Sequence, residues 1–417
     1  MPATCLPDKD TIIAFLLPQV PEIVRFFSKL RPEKQWNGMV ECLKFKTVVL
    51  AMIMIIFTTG KLMGKNEVLD GRQKCIVAIA ANEAKGDLAA LGTSIENGLD
   101  SGLTVNQVKE ILSQLYAYTG FPRSLNGLGT LQKVLEQREK EGKQTVQGPE
   151  ASPLPADFDA LKEGTKVQSR LTGRPFVYSF CPAEDYYLKA HLFGDIFASD
   201  VLTWAERELA TISALASIDG LAPQLASHVA GSRNMGLKDE QIHAIPAALA
   251  QSAGEMEAYR ASRAIAEVFG EKFDAKLPFC GMDFPKGQPN TAYARCFVGE
   301  SYLAPLHPVN LAADEKPALP MSNVTFEPGC RNNWHIHHGA RQILVCVGGE
   351  GLYQEWGKPA LKLKAGDVVD IPEGVKHWHG AAAGSWFQHV TAHVATGGEI
   401  SNEWLEPVSD EQYLSAQ

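Results

Sequence analysis

Residues 329–351 read GCRNNWHIHHGARQILVCVGGEG. Three histidines fall within four residues, just ahead of a run of apolar and small residues of the kind that fills a buried strand. In a strand, residues two apart project to the same face, so His335 and His337 look the same way. Imidazole at that density beside a core strand points to a metal, provided the rest of the chain supplies further ligands. Five residues separate Gly329 from His335-x-His337, four separate His337 from Gln342, and six separate Gln342 from Gly349. Downstream, five residues separate Gly366 from Pro372-x-Gly374, and two more precede His377. The glycines and the proline make the turn that returns a neighbouring strand, which brings His377 beside the first pair. Three neutral imidazoles and one amide oxygen suit a divalent first-row ion.

These spacings are the two sequence motifs of the cupin family, and the chain resembles a cupin over roughly 293–396. Two positions depart from the pattern: Gln342 stands for the usual Glu, and Ala381 for the usual closing Asn. An amide in place of a carboxylate leaves the ion its full 2+ charge, which strengthens it as a Lewis acid and weakens the case for oxygen activation. VTFEPG, W-H-x-H, the Gln ligand and HWHGA resemble most closely the manganese-binding bacterial cupins of the (R)-selective hydroxynitrile lyase type. That resemblance implies metal ligands at His335, His337, Gln342 and His377, and acid/base histidines at His379 and His389. It implies one divalent ion per cupin domain, Mn2+ first, with Fe2+, Zn2+ or Ni2+ as alternatives. Four residues, HGAR, stand between His337 and Gln342 where those cupins have three, so His338 is the reserve ligand should Gln342 turn away. Trp334, Trp378 and Trp386 are expected to wall an apolar pocket.

Upstream, a second pattern repeats. GDLAALGTSIENGLDSGLTVNQVKEI, from Gly86, aligns without a gap on GLAPQLASHVAGSRNMGLKDEQIHAI, from Gly220. The constant offset pairs Gly102 with Gly236, Gln107 with Gln241 and Gly120 with Gly254. Apolar residues recur at helical spacing, as in Val105, Val108, Ile111, Leu112 and Leu115, so the duplicated unit reads as helical. Gly102 and Gly236 read as helix stops ahead of new starts at Thr104 and Lys238. Both copies resemble the carboxymuconolactone decarboxylase family, related to the alkylhydroperoxidase D-like proteins. The resemblance implies an all-helical, disulfide-free, oligomerising domain. It also implies an acid/base role for His228, whose counterpart in the first copy is Ser94, with Arg123, Glu206 and Arg207 as candidate anion partners. The C-x-x-C pair of the peroxidase branch is missing from both copies, and without thiols that chemistry has no redox centre.

With 417 residues, 45% of them hydrophobic, a net charge of −9 and no basic run, the chain has the makeup of a multidomain globular protein. Nothing in it invites nucleic acid. Near the N-terminus, VVLAMIMIIF (48–57) is too short to span a bilayer but follows Lys44 and Lys46 and precedes small residues. That order reads as a signal peptide cleaved near Gly64, with a true start at Met39 and a periplasmic or secreted product, free of the membrane once cleaved; otherwise the chain is cytoplasmic.

The expected architecture is therefore multidomain α + β, an all-α duplicated carboxymuconolactone decarboxylase-like domain followed by an all-β cupin (double-stranded β-helix, jelly-roll) barrel. The expected boundaries are 1–64 (extension and signal), 66–140 (first repeat), 141–199 (linker and connecting segment), 200–275 (second repeat), 288–400 (cupin) and 401–417 (C-terminal tail). The leading functional expectation is a metal-dependent carbon–carbon lyase or carboxy-lyase acting on a small oxygenated organic molecule, in a homo-oligomer. Decarboxylase or lactone chemistry in the helical unit, and a non-catalytic metal-binding assembly protein, are the alternatives.

Overall fold

The computed structural model describes residues 68–417. The apolar run 48–57 and the expected cleavage at Gly64 lie outside the described residues. Helix α1 (Gly71–Lys85) opens on a capping box in which Asp70 accepts from the Gln73 amide and the Gln73 side chain returns the bond. It is followed by α2 (Leu88–Asp100), α3 (Val105–Thr119) and α4 (Phe121–Lys140). The same order recurs after the connecting segment as Trp204–Ala216, Ala222–Ser232, Asp239–Ser252 and Glu255–Phe269. Gly102 and Gly236, at φ 93° and 106°, occupy the left-handed region at the two matching stops. The halves do not form separate cores: Ile76, Leu91, Ile111, Leu209, Ile245 and Leu249 belong to one apolar cluster.

The connecting segment is more than a linker. Residues 143–155 run extended, with Val105 and Asn106 donating to the carbonyls of Val146 and Gln147 at 3.0 Å each. Next comes helix α5 (Ala160–Thr172), then a short helix (Pro182–Tyr186) that passes directly into a π-helix, Tyr187–Ile196. Here α5 and the π-helix touch backbone to backbone. A Cβ on Gly164 would stand 1.7 Å from the Lys189 carbonyl oxygen, and one on Gly194 would stand 2.3 Å from that of Ala160. Neither contact can relax by a side-chain rotation. Gly164→Ala should therefore cost about 3 kcal/mol, the upper end of overpacking penalties, read as a lower melting temperature of the helical unit with little change in far-UV dichroism.

Past residue 288 the chain is β-structure, and two sheets share one long strand, β7 (Ala340–Glu355). On one side β7 pairs with β9 (Val368–Ile371) and with β11 (Phe387–Ala395), which continues to β4 (Met321–Phe326) and β3 (Ser301–Leu306). On the other it pairs with β8 (Leu361–Lys364) and with β10 (His377–Ala381), which continues to β5 (Arg331–Asn332) and β6 (His335–His338). All these pairings are antiparallel. Gly339, at φ 68°, separates β6 from β7 and takes up the extra residue of HGAR as a left-handed kink, where a Cβ would meet the Glu399 carbonyl oxygen at 2.5 Å.

One boundary needs correcting. Residues 401–417, expected as a tail, are part of the barrel. Strand β12 (Ser401–Trp404) pairs with β6, aligning Asn402 with His337 and Trp404 with His335. The short helix α6 (Asp410–Ser415) seats Tyr413 with Trp334, Leu352, Trp378 and Val408 in an apolar cluster of its own.

Candidate metal centre

Strand alternation turns the side chains of His335, His337, His377 and His379 into the barrel, and all four are buried. The His335 and His377 rings stand 4.0 Å apart, His335 and His337 5.0 Å, and His337 and His377 5.2 Å. Each ring is held from behind. His335 Nδ1 donates to the Asn333 carbonyl at 2.9 Å, and His377 Nδ1 to the Val375 carbonyl at 2.9 Å. Nδ1 of His337 meets Asn402 Oδ1 at 2.7 Å. A carbonyl only accepts, so Nδ1 carries the proton and Nε2 presents a bare lone pair.

Gln342 completes the set. Its Nε2 donates to Thr391 Oγ1 at 3.0 Å, which swings Oε1 to 2.9 Å from His337 Nε2 and 3.4 Å from His377 Nε2. With Nδ1 protonated, acceptors then face acceptors with no hydrogen between them. That mutual repulsion is relieved by a cation, and anchoring of the outer imidazole nitrogen is the usual support of a histidine metal ligand. The residues present thus fit a divalent ion, and His338 is not needed. It is exposed and paired with Glu403 at 2.9 Å. A second triad overlaps this one, since ligand atoms of His335, His377 and His379 also lie within 4.8 Å of one another. The turned-in Gln342 oxygen favours His337 over His379.

Burial keeps His335 and His377 neutral. It pushes His377 down to about 4 and His335 well below the usual imidazole value, with neighbouring histidines adding to the shift. His379 is lowered well below its usual value by burial and then by His389, whose ring stands 4.8 Å away. The Asn332 side chain accepts the His379 backbone N–H at 2.9 Å and sets its own amide nitrogen 3.0 Å from His379 Nε2. Burial pushes His389 down to about 3 against a raising contribution from the Val390 backbone, and neither ring nitrogen has a hydrogen-bond partner among the described residues.

The unfolded chain takes up a proton at His389 below about 6.5 while the folded barrel refuses it until about 3. His389 therefore contributes stability that is fully present above pH 6.5 and is lost as pH falls toward 3, at about 1.4 kcal/mol per pH unit. Urea unfolding of the metal-free protein at pH 6.5 and 5 should show at least this slope, since His335, His377 and His379 are lowered too, and His389→Leu should reduce the change by roughly 2 kcal/mol over that interval. An unchanged slope in the variant would mean that His389 is hydrated.

Several functional residues escaped the sequence reading. Asn402 and Trp404 lie in the supposed tail, yet Asn402 orients His337 and Trp404 stacks on His335 at 4.7 Å. Thr391 and Asn332 carry no motif at all. His393 was legible, being four residues beyond His389 on one strand face, and its ring stands 4.8 Å from His337. Asn402→Leu should weaken metal affinity about 10–100-fold, the usual loss with an outer partner, as followed by competition with a chromophoric chelator.

The tryptophans do not wall the site. Trp334 and Trp378 belong to the cluster around Tyr413, on the face of β10 opposite His377 and His379. Trp386 packs against Phe279, and its indole N–H donates to the Leu277 carbonyl at 2.8 Å.

In the helical unit, His228 Nδ1 meets the buried Glu208 carboxylate at 2.8 Å, and the ring lies edge-on to Tyr118 at 5.6 Å. Two of the proposed anion partners are otherwise engaged. Arg207 is fully buried, bonded to Gln114, Glu110 and the Ser199 carbonyl, while Glu206 caps its helix through Thr203 and pairs with Arg72. Arg123 is exposed. The cysteines among the described residues are free.

Known proteins agree with this division. A cupin domain model matches residues 322–385, and a carboxymuconolactone decarboxylase family model matches 182–267, leaving the first helical half outside the match. An (R)-mandelonitrile lyase of Granulicella tundricola is 40% identical over 92 residues, which are 22% of this chain and 69% of that protein. A cupin-like protein of Thermotoga maritima of known structure is 38% identical, covering 32% of this chain and 96% of that one, with a TM-score of 0.28. A predicted oxalate decarboxylase of the same organism is 20% identical over 28% of this chain and 99% of that one, with a TM-score of 0.23.

Proposed function

Since the chain belongs to the cupin family through its C-terminal barrel, we propose that the barrel is a divalent-metal lyase, manganese first, acting on a small oxygenated organic molecule such as a cyanohydrin. The observation that carries this reading is the convergence of three Nδ1-anchored imidazoles and the Gln342 oxygen beside two further buried histidines. A purely structural site has no use for His379 and His389. A bound divalent ion supplies Lewis acidity toward a substrate oxygen. The chain's own residues do the rest. Gln342 and the three ligand histidines fix the polar end of the site. His379, held by Asn332, and His389, in an apolar setting that keeps it neutral, are placed to take and return the proton of a substrate hydroxyl. Phe326 flanks both rings, at 5.7 Å and 5.6 Å, and limits water there.

The test is metal analysis followed by a panel of aromatic and aliphatic cyanohydrins, scored as aldehyde release. His379→Ala or His389→Ala should lower turnover by two to four orders of magnitude, the range of general acid–base catalysis, while metal content stays at that of the parent. Full activity in both variants, or no cleavage of any cyanohydrin by the metal-loaded parent, would reject the lyase reading.

A second reading, decarboxylase or lactone chemistry in the helical unit, is favoured by the buried Glu208–His228 pair and the family match at 182–267. His228→Ala separates the two readings, because it leaves the barrel untouched. Among the described residues no helix is long and apolar enough to cross a membrane. Export with cleavage near Gly64 is a further proposal, tested by N-terminal sequencing of protein recovered from the native host.

A further inference from the structure

We infer that the helical unit carries a second small-molecule site, a cleft that takes an organic carboxylate with an apolar body, independent of the chemistry proposed for the barrel. The cleft measures about 850 Å³ and lies between the extended arm, α5, the end of the π-helix and the start of helix Trp204–Ala216. That volume falls within the ordinary range for small-molecule sites. Its walls are Leu154, Phe158, Val167, Phe193, Phe197 and Trp204. The π-helix is itself a pointer, because such turns are rare and concentrate at functional sites. This one is held at backbone contact by Gly164 and Gly194, and its last turns supply Phe193 and Gly194 to the cleft.

Most of the polar groups lining it are already engaged. Lys166 pairs with Glu163 at 2.6 Å. The Asp200 carboxylate accepts the Ser152 N–H at 2.9 Å and its hydroxyl at 2.6 Å, which pins the arm that forms one wall. One cationic donor is left over. The Arg170 guanidinium lies over the Trp204 ring at 4.7 Å, and its Nε donates to the Asn234 carbonyl at 2.9 Å. Its two Nη groups have no partner among the described residues. A guanidinium fixed at Nε and stacked on an indole is a preformed fork whose free edge matches the two oxygens of a carboxylate. The aromatic and aliphatic walls then take the apolar remainder.

The experiment is isothermal titration of the full chain with phenylacetate, and with 2-phenylethanol as its neutral counterpart of similar shape. The expected result is saturable sub-millimolar binding of phenylacetate, at least tenfold tighter than the alcohol, the discrimination of roughly one charge-assisted bond pair. Arg170→Gln should weaken phenylacetate about tenfold, and Phe193→Ala should weaken both probes, while His377→Ala in the barrel leaves both unchanged. Arg170 is on the surface, so its variant should fold, and far-UV dichroism verifies this. Equal affinity for the alcohol, an unchanged Arg170→Gln, no saturation at millimolar concentration, or loss of binding in His377→Ala instead would each overturn the assignment.

Discussion

His337→Ala and His377→Ala should each purify as folded protein nearly free of metal, with affinity reduced by well over a hundredfold. The loss must exceed the 10–100-fold expected for an outer partner, because each substitution deletes a lone pair that the fold has aimed at the ion. In the parent, the Nε2 of His337 and of His377 converge on Gln342 Oε1 at 2.9 Å and 3.4 Å. His379→Ala should keep the metal. The measurement is elemental analysis of the three variants after dialysis against a weak chelator. The reverse pattern, with His379→Ala empty and His337→Ala loaded, would mean that the ion sits in the overlapping triad of His335, His377 and His379. The acid/base role of His379 would then fall with it.

Truncation after residue 400 should abolish the folded barrel altogether. The deletion removes β12 and with it the pairing of Asn402 with His337 and of Trp404 with His335. It also removes Val408 and Tyr413, which are 1% and 4% exposed. Burial of two such side chains is worth about 1.5–3 kcal/mol each. Arg331, buried at 5% exposure, would lose its bonds to the Val408 carbonyl and to Asp410. Loss of these charge-assisted hydrogen bonds costs about 1.5–3 kcal/mol more. The sum approaches the entire stability of an ordinary domain, about 5–15 kcal/mol. Limited proteolysis should show the helical unit surviving and the barrel digested. A truncated chain that melts within a few degrees of the parent would show that the last seventeen residues only decorate the barrel.

What the sequence determined by itself is local. Period-two placement of His335, His337, His377 and His379, and glycine and proline at fixed distances, turn these four imidazoles to one face of the barrel because strand alternation and turn geometry act over a few residues. The helical repeat is legible for the same reason, since Gly102 and Gly236 mark stops wherever they occur. The tertiary structure alone decided the rest. Asn402 reaches His337 across 65 residues, and Thr391 turns the Gln342 amide across 49. No spacing rule covers either contact, because each depends on which strands become neighbours when the barrel closes. The same closure sends Trp334 and Trp378 away from the site. Alternation required Trp378 to face opposite His377 and His379, but only α6, brought back by the end of the chain, gave that opposite face something to bury against.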